Sequence, residues 1–187
     1  MSRKGGGRQR PRRTSRRRPV KRRMLIVCEG EKTEPIYFGD LRREPSCAER
    51  WMIKVVRGSG KTPDQTVQKA IEEVRRTEAK GADFEYDEIW CVFDVEQRAQ
   101  LAADARASAR RNGFHTAISN PAFEVWLLAH FQRTATAFLD ASAVCDVLDA
   151  LWQRHFGCGY DKADRAIFHR LRDRVEDAVA NARSVRG

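Results

Sequence analysis

The sequence predicts an α/β protein: a mostly parallel four-stranded sheet flanked by helices, followed by a C-terminal helical extension. Three observations carry this. From Met24 onward, strand-like runs alternate with helix-like ones. The strand-like runs are apolar throughout, as expected of strands covered on both faces. The intervening segments carry helix start signals or apolar stripes at helical spacing. Crossovers between such strands are right-handed.

The elements follow in order. "MLIVC" (24–28) is the first strand, and "EPIYFGDLRRE" after it is a short helix that tolerates Pro35 in its first turn. "WMIKVV" (51–56) is the second strand. The next helix has Thr62 as N-cap, Pro63 at the first helical position, and Val67, Ala70, Ile71 and Val74 on one face. "EIWCVFD" (88–94) is the third strand, with an alanine-rich helix over 97–111, and "FHTAIS" (114–119) is the fourth. "NPAFEVWLLAHF" (120–131) starts a helix with Asn120 as cap and Pro121 behind it. Two more helices span 138–155 and 161–183, the second with Ile167, Leu171, Val175, Ala178, Val179 and Ala182 on one face. No internal repeat is visible. The organisation predicted is an Arg-rich disordered tail over 1–23, an α/β core over 24–135, and a helical extension over 136–187 packed on that core.

The chain of 187 residues carries a formal charge of +10. Residues 1–23 hold twelve Lys/Arg and no acid, leaving 24 Lys/Arg against 26 Asp/Glu from Met24 onward. Basicity therefore belongs to the tail and not to the fold. A tail of arginine, glycine and proline buries too little apolar surface to order itself, and it attracts polyphosphate backbones. A solubilising or ribosome-adhering extension is the other reading. No apolar run approaches membrane-spanning length, and the N-terminus lacks the apolar core of a secretory signal. The five cysteines have no C-x-x-C spacing, which suits a reducing cytoplasm and no zinc site.

Chemistry in parallel sheets gathers at the carboxyl ends of strands. There the sequence places Glu29–Glu31, Arg57–Thr62, Asp94–Glu96 and Ser119–Asn120. If strands one and three are neighbours, Glu29, Asp94 and Glu96 converge, and like charges that close raise one another's pKa. A hard divalent cation with oxygen ligands, Mg²⁺, resolves the conflict. In an extended tip Asp94 and Glu96 point the same way. The spacing equally admits a plain alternative, in which Glu29 and Glu31 favour a helix start and "DVEQ" is a polar loop.

A strand ending in "VCEGEKTE" with a later strand ending in acid-x-acid resembles the Toprim domain of topoisomerases, primases and certain nucleases. "VCEGEKTEPIYF", "NPAFEVWLLAHF" and "YDKADRAIFHRL" together resemble the RloB family, to which AbiLii of abortive-infection systems is similar. The resemblance implies a Toprim/Rossmann-like fold, Mg²⁺ (or Mn²⁺) on Glu29, Asp94 and Glu96, nuclease chemistry, and an AAA/ABC-type ATPase partner in anti-phage defence. Glu96 departs from the D-x-D pattern, being one methylene longer than the aspartate. No tyrosine is placed as in a topoisomerase, and no zinc-ribbon spacing suggests a primase.

Other residues take supporting parts. Glu31 is a second metal ligand or a general base, and Glu34 beside Pro35 reads as helix-start electrostatics. "RGSGKTP" (57–63) lacks the first glycine of a P-loop. Arg57, Gly58, Gly60 and Lys61 form either a phosphate-holding loop or an ordinary glycine-rich turn. Lys32 and Lys61 offset developing negative charge. Lys162 contacts phosphate or caps a helix. Glu124 lies in an apolar helix and needs a partner, as an outer-sphere group at the metal or in an ion pair with an arginine. His130 reads as a core histidine. The function expected is Mg²⁺-dependent cleavage of RNA or DNA phosphodiesters, in the cytoplasm and with no membrane. The competing class is a weakly catalytic nucleic-acid or nucleotide binding module that acts through a partner.

Overall fold

A computed structural model describes residues 20–58, 62–81, 84–96, 98–135 and 137–185. The predicted tail, apart from its last four residues, lies outside these, as do Gly60 and Lys61. The strands are β1 (Arg22–Cys28), β2 (Trp51–Val56), β3 (Glu88–Asp94) and β4 (His115–Ser119). They form one sheet in the order β2-β1-β3-β4, and every pair is parallel. β1 starts two residues before the predicted Met24. Arg22 pairs with Glu88 at 3.1 Å, and the Arg23 guanidinium lies 3.8 Å from the Phe84 ring centre.

The helices are α1 (Thr33–Leu41), α2 (Pro45–Ala48), α3 (Pro63–Ala79), α4 (Ala99–Arg111), α5 (Glu124–Ala129), α6 (Ala141–Phe156), α7 (Ile167–Leu171) and α8 (Val175–Ser184). Alternate residues of β1 serve opposite faces. Leu25 and Val27 pack on Val67 and Ala70 of α3 and on the alanines of α4. Ile26 and Cys28 join Tyr37 of α1, Phe123 and Leu127, Leu148 and Trp152 of α6, and Ile167, Phe168 and Leu171 of α7. The C-terminal helices thus complete the core of one sheet face. Each large side chain buried there contributes about 1.5–3 kcal/mol.

Local signals explain several boundaries. Thr62 caps α3 by accepting from the Gln65 amide at 3.4 Å, with Pro63 behind it. Asp140 caps α6 through the Ala143 amide at 2.9 Å, and Gly157, at φ 70°, ends that helix in the left-handed region. Two expectations differ. The chain bends at Asn120 and Pro121, and α5 begins at Glu124 instead of at an Asn120 cap. The helix expected over 161–183 begins only at Ile167, after turns over 161–166, and is divided by a 3-10 turn, Arg172–Arg174, between α7 and α8.

Candidate functional site

β1 and β3 are neighbours, so their carboxyl ends lie side by side. Pairing runs one residue past β1, where the Glu29 amide donates to the Val92 carbonyl at 2.8 Å. Glu29 Oε2 then accepts from the Asp94 amide at 3.1 Å, which brings the two acids together. After Asp94 the strand stops. The chain turns at Glu96, whose φ is +45°, so Asp94 and Glu96 do not continue one extended tip. Glu96 is exposed, and Arg98 bridges it at 2.9 Å to Glu29 at 3.4 Å.

Two further carboxylates complete the centre. A helical Cα–Cβ bond leans toward the helix N-terminus, so an acid in the first turn reaches back to the preceding loop. Glu34, in the first turn of α1, is only 6 % exposed and accepts from the Gly30 amide at 3.1 Å. Its role exceeds the helix-start electrostatics that the sequence suggested. Glu124 opens α5 and is 3 % exposed. Its Oε1 accepts from the Tyr160 hydroxyl at 3.1 Å and pairs with Lys162 at 3.2 Å, so its partner is a lysine and not an arginine. Glu29, Glu34, Asp94, Glu96, Glu124, Arg98 and Lys162 line one open cleft of about 450 Å³.

The electrostatics centre on Asp94. Burial pushes its carboxyl up to about 8, and Glu34, Glu124 and Glu29 add to the push against the Phe123 amide. Burial also raises Glu29, opposed by the Asp94 amide and Arg98 and assisted by Glu96. Glu34 is raised first by burial, with Glu124 and Glu29 contributing, while its own amide and that of Gly30 pull it down. Burial disfavours the Lys162 charge, yet Glu124 leaves its pKa raised overall. Three buried side-chain polar atoms lack a hydrogen-bond partner among the described residues. Of these, Asp94 Oδ1 alone belongs to a carboxylate.

The remaining predicted residues spread around this cleft. Glu31 and Lys32 are exposed at its rim. Gly58 approaches the chain's own β1 exit, donating to the Gly30 carbonyl at 3.3 Å. A Cβ on Gly58 would collide with the Glu29 and Cys28 carbonyl oxygens. Arg57 points into a neighbouring cleft. His130 is a core histidine, with Nδ1 2.9 Å from the Trp126 carbonyl and Nε2 3.1 Å from the Tyr37 hydroxyl. Sequence reasoning missed Arg98 and the central place of Glu34. The available signal was a first-turn acid four residues after Gly30, and a cation closely following "DVE".

Among the described residues no three His, Cys, Asp or Glu side chains are arranged as a ready metal cage. The donor set still suits Mg²⁺, which binds through one or two carboxylates and keeps its remaining waters. Asp94 Oδ1 is a buried acceptor with no donor among the described residues, and Glu29, Glu34 and Glu124 crowd negative charge around it.

Fold and site together define an α/β protein with an acidic cleft at the carboxyl edge of a parallel sheet. The family model described as RloB-like protein matches residues 24–187, and the chain belongs to that family. No curated protein and no solved structure matches the chain. No helix among the described residues is long and apolar enough to cross a membrane.

Proposed function

We propose that the chain is a divalent-metal-dependent nuclease of Toprim type that cleaves phosphodiester bonds of RNA or DNA. The observation that carries this reading is the buried Asp94 Oδ1, without a donor among the described residues, amid Glu29, Glu34 and Glu124. Such a centre is costly without a cation and favourable with one. Asp94 and Glu29 would hold Mg²⁺ or Mn²⁺, with Glu96 as third ligand once released from Arg98. Bound there, the ion supplies Lewis-acid polarisation of the scissile phosphate.

The chain's own residues do the rest. Glu34 and Glu124, braced by the Gly30 amide and by Tyr160 and Lys162, keep the negative charge that would draw a cation to Asp94. Glu31, exposed at the rim, takes the proton from the attacking water or 2′-hydroxyl. Lys162 and Lys32 balance negative charge on the phosphate. The Arg-rich tail adds sequence-independent attraction to nucleic acid. Membership of the RloB-like family supports a place in anti-phage defence beside an ATPase partner, as the likeness to AbiLii suggests.

The test is cleavage of labelled RNA and DNA by purified protein with Mg²⁺ or Mn²⁺, with and without the ATPase. Loss of cleavage in Asp94→Asn is expected, and no cleavage under any of these conditions overturns the reading. One observation favours a second reading. Arg98 already bridges Glu29 and Glu96, so its guanidinium stands where a cation's charge is needed. In that reading the fold is a binding module, and Mg²⁺ leaves its thermal stability unchanged.

A further inference from the structure

A second cleft lies beside the acidic one, on the other side of the first turn of α1. Thr33 and Glu34 line the acidic cleft, while Pro35, Ile36, Gly39 and Asp40 line its neighbour. The loop between α6 and α7 likewise serves both, through Lys162 on the acidic side and Arg165 on the other. The second cleft, about 520 Å³, is completed by Arg42, Arg43 and Arg57. Four guanidiniums thus face a single carboxylate, Asp40.

The partners of these arginines differ. Arg43 forms an ion pair with Asp40, and Arg42 donates to the Ile53 carbonyl at 3.5 Å. Neither Arg57 nor Arg165 has an ion-pair or side-chain hydrogen-bond partner among the described residues. Both are exposed. Gathering like charges without counter-charge carries a self-repulsion that a bound polyanion relieves. Guanidinium forks match phosphate oxygens bidentately. No aromatic residue lines this cleft, so it offers no platform on which a base stacks. Its chemistry reads backbone and not sequence.

We infer that the Arg42–Arg43–Arg57–Arg165 cleft is the track for the phosphates of a nucleic-acid strand flanking the phosphate in the acidic cleft. The inference rests on the reading of the chain as a nucleic-acid enzyme and adds where the strand lies. The strand crosses the first turn of α1, with its reacting phosphate at Asp94 and its neighbours on Arg57 and Arg165. The contacts are to the sugar–phosphate backbone alone, so they act alike on every sequence.

The test measures binding of fluorescent 20-nucleotide single strands, RNA and DNA of mixed sequence, to the full chain by anisotropy across a KCl series. Arg57→Ala/Arg165→Ala is compared with Arg75→Ala/Arg154→Ala, which removes equal charge from exposed positions outside both clefts. Gly39→Glu supplies a second probe, because a Cβ at Gly39 meets no atom within 4 Å. Each phosphate contact contributes about 0.7 to the salt slope of single-strand binding. The cleft double variant is therefore expected to lower the slope by about 1–1.5 and the affinity about tenfold or more at low salt. Gly39→Glu weakens binding in the same direction, and the control pair changes it little. Equal behaviour of cleft and control variants overturns the inference while leaving the nuclease reading intact. Weakened binding by cleft variants of a protein that never cleaves keeps the basic cleft as a phosphate track but removes the nuclease reading and the reacting phosphate at Asp94. A wild-type chain that binds neither strand at low salt overturns both.

Discussion

The two clefts on either side of α1 are built in opposite ways. The acidic one is open, but its inner carboxylates are buried and braced: Glu29 and Glu34 accept from backbone amides, and Glu124 is held by Tyr160 and Lys162. The basic one is lined by exposed Arg43, Arg57 and Arg165, and the side chains of Arg57 and Arg165 have no ion-pair or hydrogen-bond partner among the described residues. Buried charge needs compensation fixed in space, because solvent no longer supplies it. Exposed charge stays solvated until a polyanion arrives. On the reading proposed, one cleft would hold an ion in place and the other would receive a chain that comes and goes.

The largest effect should come from Asp94→Asn, which alters only the acidic side. If Asp94 holds a metal as proposed, cleavage should fall by about 10³ or more, since losing a metal ligand removes several kcal/mol of transition-state stabilisation. Oligonucleotide binding should be retained. Stability should move the opposite way from activity. The folded-state pKa of about 8 lies above the ordinary 3.8, so between those values the folded protein keeps a proton that the unfolded chain releases. Stability of the metal-free protein therefore declines as pH rises from about 4 to about 8. Asp94→Asn should abolish that part of the slope and raise Tm at pH 8. Mg²⁺ should stabilise the wild type, most at alkaline pH, and leave the variant unmoved; calorimetry across pH checks both.

Gly58 is the brace common to both clefts. It follows Arg57 of the basic cleft and touches the Gly30 carbonyl of the acidic one. In Gly58→Ala the methyl meets backbone that cannot swing aside, so a loss of about 2–4 kcal/mol is expected in urea unfolding. Binding and cleavage should weaken together. If only one of them changes, the two clefts are not mechanically joined.

His130 supports the wall between the clefts, because its Nε2 meets the Tyr37 hydroxyl on α1. Burial lowers its pKa to about 4, with the Trp126 and Leu127 carbonyls and Asp177 opposing and Arg174 assisting. The unfolded chain takes up a proton near pH 6.5 that the folded protein refuses. This contribution is whole above pH 6.5 and is lost as pH falls toward 4, up to about 3 kcal/mol. His130→Gln should flatten that acid limb of the Tm profile.

The smallest contrast lies on the α6–α7 loop. Lys162→Ala leaves buried Glu124 with Tyr160 alone and should cost about 1 kcal/mol, discounted because half the lysine is solvent-exposed. Arg165→Ala should lie within about 0.5 kcal/mol of wild type, as it breaks no ion pair or side-chain hydrogen bond among the described residues. A large loss for Arg165→Ala would mean that the basic cleft is also a structural device.

Legibility in the sequence followed the range of the interaction. β2 and β3 stand at the predicted bounds, and the Thr62–Pro63 start of α3 is where its cap chemistry placed it. Asn120 with Pro121 behind it reads as a helix cap, but the chain bends there on leaving β4 and α5 begins only at Glu124. Glu29 and Asp94 were read as neighbours from a rule about strand ends, and the β1–β3 pairing places them so. Glu96 was read on an extended tip that the chain abandons one residue earlier.

By itself the sequence determined what depends on neighbours along the chain: apolar runs that must be covered on both faces, helix caps, and the acids and glycines at strand exits. Only the tertiary structure decided which acids share a cleft. The order β2-β1-β3-β4 sets β1 beside β3, and two helices of distant origin turn Glu34 and Glu124 back upon Asp94. It also divided the cations, with Arg98 and Lys162 beside the acids and Arg57 and Arg165 across α1. The reason is physical. A charge's pairing depends on distance and desolvation, and both are properties of the packed chain that a string of residues does not carry.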